Sequence, residues 1–440
     1  MGTILPEKNK IGLWTSTSLV VGNMIGAGVF LMPAALASYG SISLLGWMFS
    51  AIGSFFLARV FGNLSKLAPQ VTGGPYGYTR LGLGDFAGFL VAWGYWISTA
   101  CANAAITISL VSALSTFFPV LSGNAVYSVS TGLLAIWLLT WINTRGVVVS
   151  GKVQLFTTIL KLAPLFVIAV GGLFFIRLEN FQPFNSSGTS IWSAIQATAT
   201  FTMFAFVGIE CASIPASTVD NPAKTIARAT MLGLLIAALV YILGSVSLMG
   251  ILSPAQLKNS VTPYADAAVL MFGPTAKYWV SAGIAIAAFG ALNGWILIQG
   301  QMPYAIAKDK LFPAVFAKEN KRKVPYMGML INSVVVSLFM TMNYTKGLVE
   351  QFRFLLLLAV LTIFIPYLFS TTAYMLINLL KKKEKKGLIS AALIAVPAFA
   401  YSLWAIAGCG EKTVYYGFLV LMAGIPFYVW IVYTNKTEEL

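Results

Sequence analysis

The chain has 440 residues, of which 58% are hydrophobic and 9% charged, and it contains no histidine. A soluble domain of this size would carry charge at about a quarter of its positions, so the composition excludes a soluble globular protein and indicates a polytopic membrane protein. The formal net charge of +15 raises the possibility of a nucleic-acid partner, which the placement of the charges then excludes.

Each crossing needs about 20 apolar residues. The apolar runs predict an all-α chain of about twelve transmembrane helices near 12–36, 41–62, 86–118, 125–143, 153–176, 191–214, 229–252, 278–306, 327–342, 352–380, 388–408 and 414–434. Lys8 and Lys10 precede a run that reads as the first span itself, not as a cleavable signal.

The first span contains "VGNMIGAGVFLMPAAL", which places Gly22, Gly26 and Gly28, with Asn23 among them, ahead of Pro33. Glycine and proline open helices, and an opened backbone in lipid must line a cavity or be buried in protein. The plainer alternative is that the glycines only let helices approach closely. In the third span, Asn103 in "STACANAAITI" is an amide that needs partners, and Tyr95 lies two turns earlier. Lys161, in "TTILKLAPLF" of the fifth span, lies about 12 Å beyond Val153 at 1.5 Å per residue. It either snorkels to the interface or is a buried amine that fills a cation site or carries a proton.

The sixth span carries "FAFVGIECASIP", from Phe204 to Pro215, a second apolar run interrupted by glycine and then proline. Of thirteen acidic residues, Glu210 alone sits within a hydrophobic stretch. It reads either as a functional carboxylate or as one reaching the interface from a helix end. Trp295, in "ALNGWILIQG" near the middle of the eighth span, is placed to stack on a cationic group and is too deep for an interfacial belt.

If the N-terminus is cytoplasmic and spans alternate, twenty-one of the twenty-eight Lys and Arg fall on the cytoplasmic side and six opposite, with Lys161 inside a span. That bias places both termini in the cytoplasm and makes the "KKKEKK" run a juxtamembrane segment, with no nucleic acid among the partners. Cys101, Cys211 and Cys409 have neither disulfide nor metal spacing, and without imidazole no histidine-based triad or metal site is possible. No nucleophile and base pair is visible, so the chain reads as neither an enzyme nor a cofactor protein. The spans also lack the repeated polar stripes of an open pore.

The two interruptions lie five spans apart. Because five is odd, a repeat of that length is inverted in the membrane, and paired broken helices in inverted halves mark a transporter's midplane site. The predicted organisation is a core over 1–380, with halves at about 11–176 and 191–380, followed by two further helices over 381–440. Unwinding frees N–H groups that hold a carboxylate and carbonyls that hold an ammonium, and an amino acid has both ends.

Together, "GNMIGAGVFLMPAALASYG", "GGPYGY", "FVGIECAS", "DNPAKTIARAT", "GWILIQGQ", "LFPAVFAK" and "IPYLFS" resemble the amino acid/polyamine/organocation transporters, within them the basic amino acid/polyamine antiporters and their arginine/agmatine branch. The resemblance runs nearly end to end. It implies a five-plus-five inverted repeat plus two helices, often a homodimer, in the cytoplasmic (inner) membrane. It also implies exchange by alternating access of a cationic amino acid and its amine or a related amino acid. By it, Asn23, Gly26, Ala27 and Gly28 fall on the carboxylate-binding loop, and Phe206, Val207 and Gly208 on the loop whose carbonyls receive the α-amine. Asn103 and Trp295 match residues that hold and stack a guanidinium, Glu210 an acid beside the site, Tyr95 a gating aromatic, and Tyr76 a cytoplasmic-side tyrosine linked to pH response.

There are departures. The arginine-exchanging members have hydroxyls where this chain has Ala27, Ala205 and Ala359, a tryptophan gate at Phe204, and a methionine and a threonine at Ile106 and Ile363. Losing hydrogen bonds worth about 1 kcal/mol each shifts the pocket toward a more apolar ligand or one without a carboxylate. Lys161 is similar to the fifth-helix lysine of sodium-independent relatives, some of them proton-coupled. The alternative function is therefore proton-coupled symport of neutral amino acids.

Overall fold

The computed structural model describes residues 10–26, 28–260, 262–342, 348–381 and 385–439. Two helices share the first apolar run, α1 (Leu13–Met24) and α2 (Gly28–Ala37). They are followed by α3 (Ser43–Leu67), α4 (Pro75–Leu83), α5 (Asp85–Leu114), the single turn α6 (Val120–Gly123), α7 (Ala125–Asn143) and α8 (Val147–Gly171). Next come α9 (Ile191–Met203), α10 (Pro222–Ile251), the short α11 (Pro254–Asn259) and α12 (Pro263–Phe272), and the 33-residue α13 (Ala276–Lys308). The rest comprises α14 (Met327–Met342), α15 (Leu348–Leu380), α16 (Lys385–Gly408), α17 (Glu411–Met422) and α18 (Gly424–Glu439).

Among the described residues, ten helical stretches are long and apolar enough to cross a membrane. The first expected span falls outside that count because it is divided into pieces of 12 and 10 residues, and the ninth because α14 has only 16. Two expectations change in detail. The span expected over 191–214 is α-helical only to Met203, and 204–218 continues in 3-10 turns. The span expected over 414–434 bends at Ala423, between α17 and α18.

Helix α13 is the axis of the bundle. Its most apolar window is 78% buried, against 22% for the window over Val414–Asn435, so α13 is enclosed by other helices while α17 and α18 present most of their surface to lipid. Buried amides tie neighbours to that axis. Asn293 on α13 donates to Gln154 on α8 at 3.1 Å and accepts from Asn143 on α7 at 3.1 Å, and Gln154 donates to the Ser18 carbonyl of α1 at 3.3 Å. Without water in the bilayer core, such amides must find partners in protein, and they join helices where apolar packing alone is indifferent.

Candidate functional site

The α1 break has a local cause. The Gly26 N–H, which in a continuing helix would bond the Gly22 carbonyl, turns to the Met24 carbonyl at 2.9 Å. That leaves the Gly22 and Ile25 carbonyls without helical partners, and Lys161 Nζ on α8 donates to both at 2.7 Å. Lys161 is fully buried, so the snorkelling reading does not hold, and its Nζ lies at the broken end of α1. The glycines divide by role. A Cβ on Gly22 would lie 1.7 Å from Gln154 Nε2, so Gly22 serves helix packing, whereas the nearest atom to a Cβ on Gly26 is 3.8 Å away. Ala27 lies outside the described residues, and Gly28 opens α2.

The second break follows Met203. Gly208 has φ +112, a conformation strained for any residue with a Cβ. A Cβ there would also stand 3.2 Å from Asn23 Cβ and 3.3 Å from Met24 N, so the two breaks abut.

Glu210 follows two residues later and is fully buried, which sets aside the interfacial reading. It accepts hydrogen bonds from Tyr95 on α5 and Tyr367 on α15. The Tyr367 hydroxyl in turn accepts from the Gly208 N–H at 3.1 Å. A buried carboxylate is tolerated only with such donors, and here they join the second break to two flanking helices.

Above this cluster lies a cavity of about 60 Å3, lined by both breaks through Asn23, Gly26, Phe204, Ala205 and Val207, and by Trp295 of α13. It follows α5 from Ser98 to Ser109, one turn beyond buried Tyr95, and meets Ala359 and Ile363 of α15. Among the described residues, no charged side chain lines it. Neither polar atom of the Asn23 amide, though buried, finds a nitrogen or oxygen partner among the described residues, the Cys211 thiol being its hydrogen-bonding neighbour. Phe204, Ala205, Ile106, Ala359 and Ile363, the positions at which the resemblance leads one to expect departures from arginine exchangers, all line this cavity.

Other residues singled out from the sequence lie beside the cavity, not on its wall. Phe206 packs edge-on against Trp47 and Tyr241, with centroids 6.2 and 5.5 Å away. Asn103 donates to Gln299 Oε1 at 2.5 Å, which also receives Asn332 at 2.9 Å. Tyr76 belongs to a separate cluster at the end of α13. Its hydroxyl donates to Asp309 at 2.7 Å, Arg80 pairs with the same carboxylate at 2.8 Å, and Arg80 also pairs with Asp85 at 2.7 Å. Burial, and then the Asp309 carboxylate that accepts its hydrogen bond, hold the Tyr76 hydroxyl above its ordinary value. Among the described residues, no three His, Cys, Asp or Glu side chains converge as a metal set.

Tyr367, Asp309 and the Gln299 cluster were not singled out from the sequence. Tyr367 carries a weak signal, a tyrosine directly after Pro366 in an apolar run, while Asp309 reads as an ordinary span-end acid.

Comparison with known proteins gives the family. The family model for amino acid permeases matches residues 11–435. The arginine/agmatine antiporter of Chlamydia pneumoniae is 31% identical, over 96% of this chain and 90% of that protein. The arginine/ornithine antiporter of Pseudomonas aeruginosa is 31% identical, over 92% of this chain and 87% of its own length.

Proposed function

We propose that this chain, which belongs to the amino acid permease family, is an antiporter of the cytoplasmic membrane that exchanges a cationic amino acid for its amine or for a related amino acid. The observation that carries the reading is the buried Asn23 amide, without a nitrogen or oxygen partner among the described residues, on the wall of a cavity where two broken helices meet. A free amino acid supplies what that junction lacks. Its carboxylate meets the opened N-terminal turn of α2, with Gly26, Ala27 and Gly28, and its ammonium meets carbonyls around Phe206, Val207 and Gly208. Trp295 offers a π face to a cationic side chain, and Asn103 holds its tip after release from Gln299.

In this reading the fold comprises about twelve transmembrane helices, two inverted five-helix units plus two, with both termini cytoplasmic and assembly as a homodimer. Glu210, Tyr95 and Tyr367 form the gate beneath the substrate, and Tyr76 with Asp309 and Arg80 forms a second closure at the cytoplasmic end. Lys161 supplies the positive charge at the α1 break, so no metal ion is required there.

The apolar wall favours a second reading of substrate: a neutral amino acid, exchanged by the same route. Proton-coupled symport is not favoured, because the relatives are named antiporters. In proteoliposomes, radiolabelled arginine, ornithine or agmatine should enter only when unlabelled substrate is inside. Uptake into empty vesicles would refute exchange, and trans-stimulation by leucine but not arginine would transfer the assignment to neutral substrates.

A further inference from the structure

Where the end of α3 runs beside the start of α10, a pocket of about 310 Å3 opens between Arg59, Lys66, Lys224 and Arg228. Its floor is small, because a Cβ on Gly62 would stand only 3.4 Å from Ala227 Cβ. Arg59 and Lys66 lie three and four positions from Gly62, and Arg228 and Lys224 one and three from Ala227. At 1.5 Å per residue, all four are gathered within about 6 Å of the crossing along the helix axes.

These four side chains are exposed, and no ion pair joins any of them to a carboxylate among the described residues. Four like charges around one crossing repel one another unless an anion lies between them. Toward the membrane's middle the same faces become apolar. Phe55 and Ile52 precede Arg59 by four and seven positions and are 38% and 58% exposed. Leu235 and Leu239 follow Arg228 by seven and eleven and are 56% and 53% exposed. The Arg59 guanidinium lies 5.4 Å from the centroid of the Phe55 ring, at the boundary between the charged and apolar parts.

We infer that this crossing binds an anionic phospholipid, its phosphodiester seated over Gly62 and Ala227 and its acyl chains lying along the α3 and α10 faces. Basic pockets between helices at the cytoplasmic interface suit such headgroups, and arginine pairs with phosphate in bidentate fashion. A soluble phosphate would use the charges alone. The paired apolar faces that continue from them distinguish a lipid.

The test uses the purified full-length chain in neutral phosphatidylcholine nanodiscs, titrated with phosphatidylglycerol or with inorganic phosphate, with lipid adducts counted by native mass spectrometry and stability read by thermal unfolding. Replacing Arg59, Lys66, Lys224 and Arg228 together by Gln should weaken phosphatidylglycerol binding by about a hundredfold or more, since each cation near the surface contributes on the order of 1 kcal/mol. Replacing Lys318, Lys321, Arg322 and Lys323 by Gln changes the net charge equally on the same side and should leave binding within about twofold. The single exposed variants Lys66→Gln and Lys224→Gln, each expected to weaken binding about fivefold, keep the test open should the quadruple variant misfold. Equal loss in the two quadruple variants, unchanged binding in the site variants, or stabilisation by inorganic phosphate matching that by lipid would each overturn the assignment.

Discussion

Lys161 Nζ lies 2.7 Å from the carbonyl oxygen of Ile25, the residue at which α1 stops. The same ammonium reaches the Gly22 carbonyl, so one side chain on α8 satisfies two acceptors that the break exposes. Lys161→Met keeps much of the apolar volume and removes every donor, leaving two buried carbonyls unpaired at about 1–3 kcal/mol each. The expected result is a lowered melting temperature in detergent and loss of exchange in proteoliposomes. A variant with full exchange would show that the break holds its shape without the lysine.

Tyr367 spends its hydroxyl twice, donating to Glu210 and accepting from the Gly208 N–H, whereas Tyr95 donates to Glu210 beside the Cys211 thiol and meets no backbone N–H among the described residues. Tyr367→Phe should therefore slow exchange more than Tyr95→Phe, because it also frees the N–H at the second break. The double variant should be non-additive, with a coupling of about 0.5–3 kcal/mol, since the two tyrosines share one carboxylate. A double-mutant cycle on the rate of arginine exchange measures this, and simple additivity would mean that they act separately.

How much of this was legible in the sequence depended on how local the cause is. The α1 break is written in closely spaced glycines, and the ten membrane-length helices among the described residues in runs of hydropathy. Lys161 illustrates the limit: snorkelling and burial look identical in sequence, and the carbonyls that decide between them are 139 and 136 residues away. Glu210 was visible as an outlier, but its partner Tyr367 is 157 residues distant. Asn103 was read from residue type alone, and an amide's type does not reveal that Gln299 is the group it meets. Gly22 and Gly26 look equivalent as letters, and only the neighbouring Gln154 separates packing from opening.

The alkaline limb should report on Tyr76. Its hydroxyl ionises above its ordinary value near 10 in the folded chain, so the unfolded chain loses that proton first. The Tyr76 contribution is thus fully present below about pH 10 and declines as pH rises beyond it. The stability difference between the parent and Tyr76→Phe should be constant through neutral pH and narrow in strong alkali. A difference that widens instead would mean that ionised Tyr76 is favoured by the fold.

Substrate preference should follow the polarity of the cavity wall. Ala205 and Ala359 both line the cavity, and Ala205→Ser with Ala359→Ser adds two donors to a wall without charge. Each new bond is worth about 1 kcal/mol net, so the double variant should shift the ratio of arginine to leucine exchange by roughly tenfold or more toward arginine. Competition assays against one radiolabelled substrate measure the ratio. An unchanged ratio would place the discrimination elsewhere, with Trp295 the next position to vary.

Gly294 tests whether the Asn23 amide must keep its place. A Cβ on Gly294 would lie 2.0 Å from Asn23 Oδ1 and 3.1 Å from Gln154 Nε2, so Gly294→Ala cannot be accommodated without rotating Asn23 out of its position. Overpacking of this kind costs about 1–3 kcal/mol, so the variant should still fold, with reduced stability. Its exchange should fail through weaker substrate binding, read as a raised KM or a lost thermal shift on adding arginine. Gly26→Ala, where the nearest atom is 3.8 Å away, is the matched control for added volume and should be far milder in stability. Equal substrate binding by the parent and Gly294→Ala would remove Asn23 from the site and with it the observation on which the transport reading rests.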